Sequence, residues 1–132
     1  MRQREQRLWD AMRKAAPPHV WLQRIENVVG EGMPDVFVAA HGSSCWVELK
    51  AAIRPKRDTT PLLGSDGLRL SQINWHIKAA SVGLRTYVLI RDDKRALYLV
   101  PAHDLNARSS SEIENQSFAH TWHGIFAELE GR

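Results

Sequence analysis

With 132 residues, 43% of them hydrophobic and 25% charged, the chain can build one packed domain and is too short for two. No stretch approaches the run of about eighteen apolar residues that spans a bilayer, and Met1-Arg2-Gln3-Arg4-Glu5 is unlike a secretory leader, so a cytoplasmic protein is expected. A formal net charge of +3 permits a polyanionic partner, and a single cysteine, Cys45, excludes an internal disulfide and, without companion thiols, speaks against a structural zinc site.

Residues 2–16 predict a helix that ends at Pro17-Pro18, because proline disfavours helix in the residue before it. Leu8, Trp9, Met12 and Ala16 form one stripe, and Glu5 lies at its centre. An inward carboxylate costs several kcal/mol unless it is paired or bound to a cation, which makes Glu5 a candidate ligand. The other reading is a first-turn acid favoured by the helix dipole. His19–Ile25 predicts a first strand, with Arg24 near its end as a candidate phosphate contact. Glu26 and Glu31, in the connection that follows, are alternatives to Glu5 as an additional acid.

Gly32-Met33-Pro34-Asp35-Val36-Phe37-Val38 and Cys45-Trp46-Val47-Glu48-Leu49-Lys50 then predict a hairpin turning at Gly42-Ser43-Ser44. Side chains alternate along a strand, so Glu48 and Lys50 share one face and Val47 and Leu49 the other. The hairpin brings Asp35 to the same patch. Two carboxylates about 4 Å apart repel by roughly 4 kcal/mol at an effective dielectric near 20, so the pair calls for a cation. A hard divalent ion suits it, since Mg2+ takes oxygen ligands and keeps waters for a phosphate substrate.

Residues 51–70 predict an irregular loop leaving the Lys50 end of the strand, with Arg54, Lys56, Arg57 and Arg69 against Asp58 and Asp66. These cations lie where a nucleic-acid backbone would pass, giving affinity and register rather than sequence discrimination. Ser71 predicts an N-cap, with Gln72–Val82 a helix closed by Gly83 and buried through Ile73, Ile77 and Ala80. Thr86–Ile90 and Ala96–Val100 predict two further strands, residues 101–107 a short helix, and Arg108–Glu112 a loop. Ser117–Leu129 predicts an amphipathic helix that covers the sheet or forms a subunit interface; His120 and His123 within it lack a third metal ligand. A small-molecule hydrolase lacks support, there being no Gly-x-Ser-x-Gly elbow and no P-loop, and no organic cofactor is expected.

Pro34-Asp35 followed by Glu48-Leu49-Lys50 on the next strand resembles the motif of the PD-(D/E)XK nuclease superfamily. With Gln72-Ile73-Asn74-Trp75 on a downstream helix, the likeness is closest to the virus-type replication-repair nuclease (VRR-NUC) group and to phage Holliday-junction resolvases. It spans about residues 5–100, leaving 101–132 as a C-terminal extension of the one domain. The resemblance implies an α/β fold with a restriction-endonuclease-like core in the order αβββαβ, a mixed central sheet flanked by helices. It implies a Mg2+- or Mn2+-dependent DNA endonuclease of a bacterial or phage-infected cell, selective for junctions, flaps or nicks. Asp35 and Glu48 would hold the metal with the Leu49 carbonyl and Glu5, and Lys50 would orient water or stabilise charge at the phosphate. Gln72 would support them. Symmetric cutting of a junction implies a homodimer. The alternative is a nucleic-acid-binding protein that keeps the fold without the chemistry.

Overall fold

The computed structural model describes residues 3–25 and 32–131. Glu26 and Glu31 lie outside the described residues. Helix α1 (Gln3–Ala15) leads into strands β1 (Trp21–Arg24), β2 (Val36–Ala40) and β3 (Ser43–Ala52). Helix α2 (Leu70–Ser81) then returns the chain to β4 (Thr86–Asp92) and β5 (Leu97–Val100), and α3 (Ser110–Gln116) and α4 (Trp122–Leu129) follow. The five strands form one mixed sheet in the order β1-β2-β3-β4-β5. Only β3 and β4 are parallel, as the α2 crossover between them requires.

The β2–β3 turn is tighter than expected. Ala40 pairs with Ser43, so His41 and Gly42 alone make the loop, with φ of 54° and 75°. Positive φ at both positions matches the right-handed twist of the flanking strands, and Ser43 and Ser44 become part of β3.

Alternation along the strands sorts the core onto two faces. Val36, Val38, Val47, Leu49 and Leu89 pack against Leu8, Trp9 and Met12 of α1 and against Ile125, Phe126 and Leu129 of α4. Val88, Ile90, Tyr98 and Val100 pack on the other face against Leu62, Leu63, Leu68, Leu105 and Ile113, with Ile73 of α2 beside them. The three α4 side chains are at most 2% exposed. Burying three such groups is worth about 5–9 kcal/mol before chain entropy, so α4 is a sheet-covering element of the main core.

Residues 51–70 depart from a free loop. Leu62, Leu63 and Leu68 are buried, and Asn106 fastens Leu68 by accepting from its N–H at 2.7 Å and donating to its carbonyl at 2.8 Å. Helix α2 turns Gln72, His76 and Ala79 inward and leaves Ile77 63% exposed, contrary to the apolar stripe read from sequence. The inward pull on Gln72 is polar and comes from Glu48. Arg108–Glu112 also departs from a loop, because Ser109 caps α3: its hydroxyl accepts from Glu112 N–H and the Glu112 carboxylate accepts from Ser109 N–H.

Candidate active site

Asp35 stands one residue before β2 and is held from two sides. Its carbonyl accepts from Ile25 N–H at 2.7 Å, extending the β1–β2 pairing, and its Oδ2 accepts from Leu49 N–H at 2.8 Å. The β2–β3 ladder ends at Val36 opposite Val47, so beyond it the Asp35 side chain takes the place of a partner strand. A strand residue directs its N–H and C=O to the same edge, so the Leu49 carbonyl faces the gap beside Asp35.

Glu48 and Lys50 lie on the α2 face of β3 and are 3% and 8% exposed. Lys50 Nζ is 4.0 Å from Glu48 Oε2, and Gln72 Nε2 donates to the same oxygen at 3.0 Å. Gln72 Oε1 accepts from Arg69 N–H at 2.9 Å, so its amide is clamped at both ends across the start of α2. Arg69, rather than Ser71, is the N-cap residue. Glu48 Oε1 is buried without a hydrogen-bond partner among the described residues. Burial, then the charge and hydrogen-bonding reach of Asp35, push the Glu48 carboxyl up to about 9, against the lowering effect of Lys50.

Glycine is required at one point of this frame. Gly32 has φ of 80°, and a Cβ there would lie 2.1 Å from the Ser71 carbonyl oxygen. The chain before Asp35 therefore runs directly against the start of α2, which sets the distance between the Pro34-Asp35 turn and Gln72.

Glu5, half-buried in the first turn of α1, completes the site on the remaining side. Together Glu5, Asp35, Glu48, Lys50, Ser65, Asp66, Arg69 and Gln72 line a cavity of about 550 Å³. Asp66 enters this cavity without a sequence motif to announce it; a 3-10 turn at Gly64–Asp66 carries it there. A second cavity of about 650 Å³ between α2, β4 and the chain after β5 is mostly apolar, and its Ile77, Leu84 and Phe118 are exposed. His76 borders it with both ring nitrogens unpartnered among the described residues, and burial pushes its imidazole down to about 4.

The basic residues read from sequence separate into two kinds. Lys56, Arg57 and Arg69 are exposed, Arg69 at the cavity wall. Arg54 is engaged within the protein: its guanidinium donates to Tyr98 Oη at 2.9 Å, Asp58 at 3.2 Å and Glu114 at 3.5 Å. Arg24 is half-buried and donates to Gln6 at 3.0 Å. A basic cluster not read from sequence joins Arg7 of α1, Arg91 of β4 and Arg95 of the β4–β5 turn; burial, then the charges of Arg95 and Arg7, lower the Arg91 guanidinium. Register pairs Arg91 with Ala51, so its side chain lies on the α1 face with Leu49 and Leu89, opposite Lys50. His120 is occupied by the Leu97 carbonyl at 3.1 Å. Cys45 is 1% exposed, and burial pushes its thiol up to about 12, which leaves it a packing residue.

A mixed five-stranded sheet flanked by helices, with its acids at the broken end of the β2–β3 ladder, is a restriction-endonuclease-like α/β fold. The chain is similar in structure to Hjc, a Holliday junction resolvase from the archaeal hyperthermophile Archaeoglobus fulgidus, with a TM-score of 0.61 and 16% identity over 96% of this chain and 98% of that one. No protein-family model and no curated protein sequence matches the chain. No helix among the described residues is long and apolar enough to cross a membrane.

Proposed function

We propose that this protein is a divalent-cation-dependent endonuclease that hydrolyses DNA phosphodiester bonds, with a preference for branched or nicked structures. The observation that carries the reading is the state of Glu48: a buried carboxylate with one orphaned oxygen, set against a second carboxylate. Such a pair is costly unless a cation joins it.

The donor set fits Mg2+ or Mn2+. The anionic groups lining the cavity are all carboxylates, and neither histidine nor cysteine lines it. Asp35 and Glu48 would hold the ion with the Leu49 carbonyl, and Glu5 would complete the set. Bound there, the ion supplies Lewis acidity, lowering the pKa of water and screening charge on the phosphate. Lys50 is fixed beside Glu48 and presents its ammonium to a phosphate entering the cavity, where it orients the attacking water or stabilises developing negative charge. Gln72 keeps Glu48 from swinging away by holding one oxygen, leaving the other for the ion.

The exposed Lys56, Arg57 and Arg69 supply phosphate contacts, and Arg7, Arg91 and Arg95 add a separate positive patch on the α1 side of the sheet. Arg24 and Arg54 serve mainly to hold the site's surroundings together. The likeness in fold to a Holliday junction resolvase supports a branched substrate. Cutting a junction symmetrically requires a C2 homodimer.

The test is cleavage by the purified chain, with Mg2+ or Mn2+, of a four-way junction, a flap, a nicked duplex and a linear duplex. Expected is metal-dependent cutting that favours the branched or nicked forms and disappears in Glu48→Gln. Binding insensitive to Asp35→Ala, with no cutting of any substrate, would replace the enzyme reading with that of a binding protein. A monomer at micromolar concentration with junction DNA present would remove the symmetric-cutting version.

A further inference from the structure

Three side chains from distant parts of the chain converge at the end of the sheet away from the acidic cavity. His19 precedes β1, His41 opens the β2–β3 turn and Glu130 follows α4. Asp35 stands just before β2 and His41 just after it, so that strand's five residues, about 17 Å at about 3.3 Å each, separate the two places. His19 Nε2 is 2.6 Å and His41 Nε2 3.0 Å from Glu130 Oε1, and one ligand atom from each residue lies within 4.8 Å of the others. The two ring centroids are 4.9 Å apart. Glu130 is buried, whereas the imidazoles are 46% and 44% exposed.

We propose that His19, His41 and Glu130 form a Zn2+ site that ties the end of α4 to the sheet. Two imidazole nitrogens and one carboxylate oxygen suit a borderline cation such as Zn2+ better than Mg2+, which prefers oxygen. Zinc bonds of about 2.0–2.2 Å place tetrahedral ligand atoms about 3.3 Å apart. Glu130 Oε1 reaches that spacing by parting slightly from each imidazole nitrogen, and all three ligand atoms already lie within 4.8 Å of one another. The half-exposed side leaves the fourth position to water and gives the ion a way in.

His41 belongs to a two-residue turn fixed at both ends by β2 and β3, so the sheet itself sets its position, with its ring nitrogen 3.0 Å from Glu130 Oε1. The ion would lock α4 over the core formed with α1, a structural role separate from the acidic cavity. The inference does not rest on the nuclease reading.

The test uses the metal-stripped full chain carrying Asp35→Asn and Glu48→Gln, which removes the other carboxylate pair from consideration. Calorimetric titration is expected to show one Zn2+ bound per chain, and thermal melting to show a rise in Tm of several degrees with Zn2+ and none with Mg2+. Adding His41→Asn should weaken Zn2+ binding at least about tenfold, while the metal-free protein stays folded with a Tm lowered only by the loss of one hydrogen bond to Glu130. His19→Gln should weaken it likewise. No Zn2+-dependent rise in Tm, or a rise unchanged by His41→Asn and His19→Gln, would overturn the proposal.

Discussion

The sharpest consequence of the acidic pair concerns stability without metal. Burial first, and then the charge of Asp35, push the Glu48 carboxyl up to about 9, so without metal Glu48 holds a proton at neutral pH. Taking up that proton limits the penalty. For a carboxyl of ordinary value about 4.3 it costs about 1.4 kcal/mol per pH unit, hence at most about 3.7 kcal/mol at pH 7 and about 1 kcal/mol at pH 5. The sign follows from proton counting: between about pH 4.3 and the raised value the folded state holds more protons than the unfolded one, so stability falls as pH rises. Asp35→Asn removes the repulsion but keeps an oxygen to accept from Leu49 N–H, and it leaves Glu48 with Gln72 and Lys50. In EDTA the variant should therefore be more stable than wild type by about 1–3 kcal/mol at pH 7 and by less than about 1 kcal/mol at pH 5. Urea unfolding at the two pH values measures both differences. With Mg2+ added, wild type should gain stability and Asp35→Asn should not. A variant no more stable than wild type at pH 7 in EDTA would refute the claim that the fold forces these carboxylates together.

If the Lys50 ammonium acts at the reacting phosphate as proposed, Lys50→Met should lower cleavage at least about a hundredfold while junction affinity, measured by fluorescence anisotropy, changes only a few-fold. Gln72→Leu leaves a second Glu48 oxygen without its donor, so it should cost about 1–3 kcal/mol in urea unfolding and reduce cleavage as well. Gly32→Ala combines a left-handed backbone with a Cβ driven onto the Ser71 carbonyl; a loss of about 2–5 kcal/mol is expected, and wild-type stability would contradict the close approach. Changing Lys56, Arg57 and Arg69 together to alanine should flatten the slope of log affinity against log salt by about 2–3, and an unchanged slope would remove them as phosphate contacts.

Much of this arrangement was legible in the chain because it depends on short-range periodicity. Glu48 and Lys50 must share a face when they are two apart on a strand, and a hairpin joining Asp35 to that strand places the acids together whatever surrounds them. The helix through Leu8, Trp9 and Met12 and the strands follow from the same local rules, whereas the mixed sheet was implied by the resemblance in motif. The α3 helix could have been read too, since Ser109 and Glu112 have the spacing of a capping box.

Other features depend on contacts between segments far apart in the chain. The inward face of α2 cannot be found from its own hydrophobic pattern, because Glu48, 24 residues earlier, draws Gln72 inward and leaves Ile77 exposed. That Arg54 is held by Asp58, Glu114 and Tyr98 could not be read from its own neighbourhood, since two of these partners lie more than forty residues away. Asp66 joins the acids because Asn106 and three buried leucines pin its loop. His19, His41 and Glu130 are separated by up to 111 residues and share no motif. By itself the sequence determined which residues alternate together on a strand. Only packing decided which distant side chains meet, because those meetings depend on how the two faces of one sheet are covered.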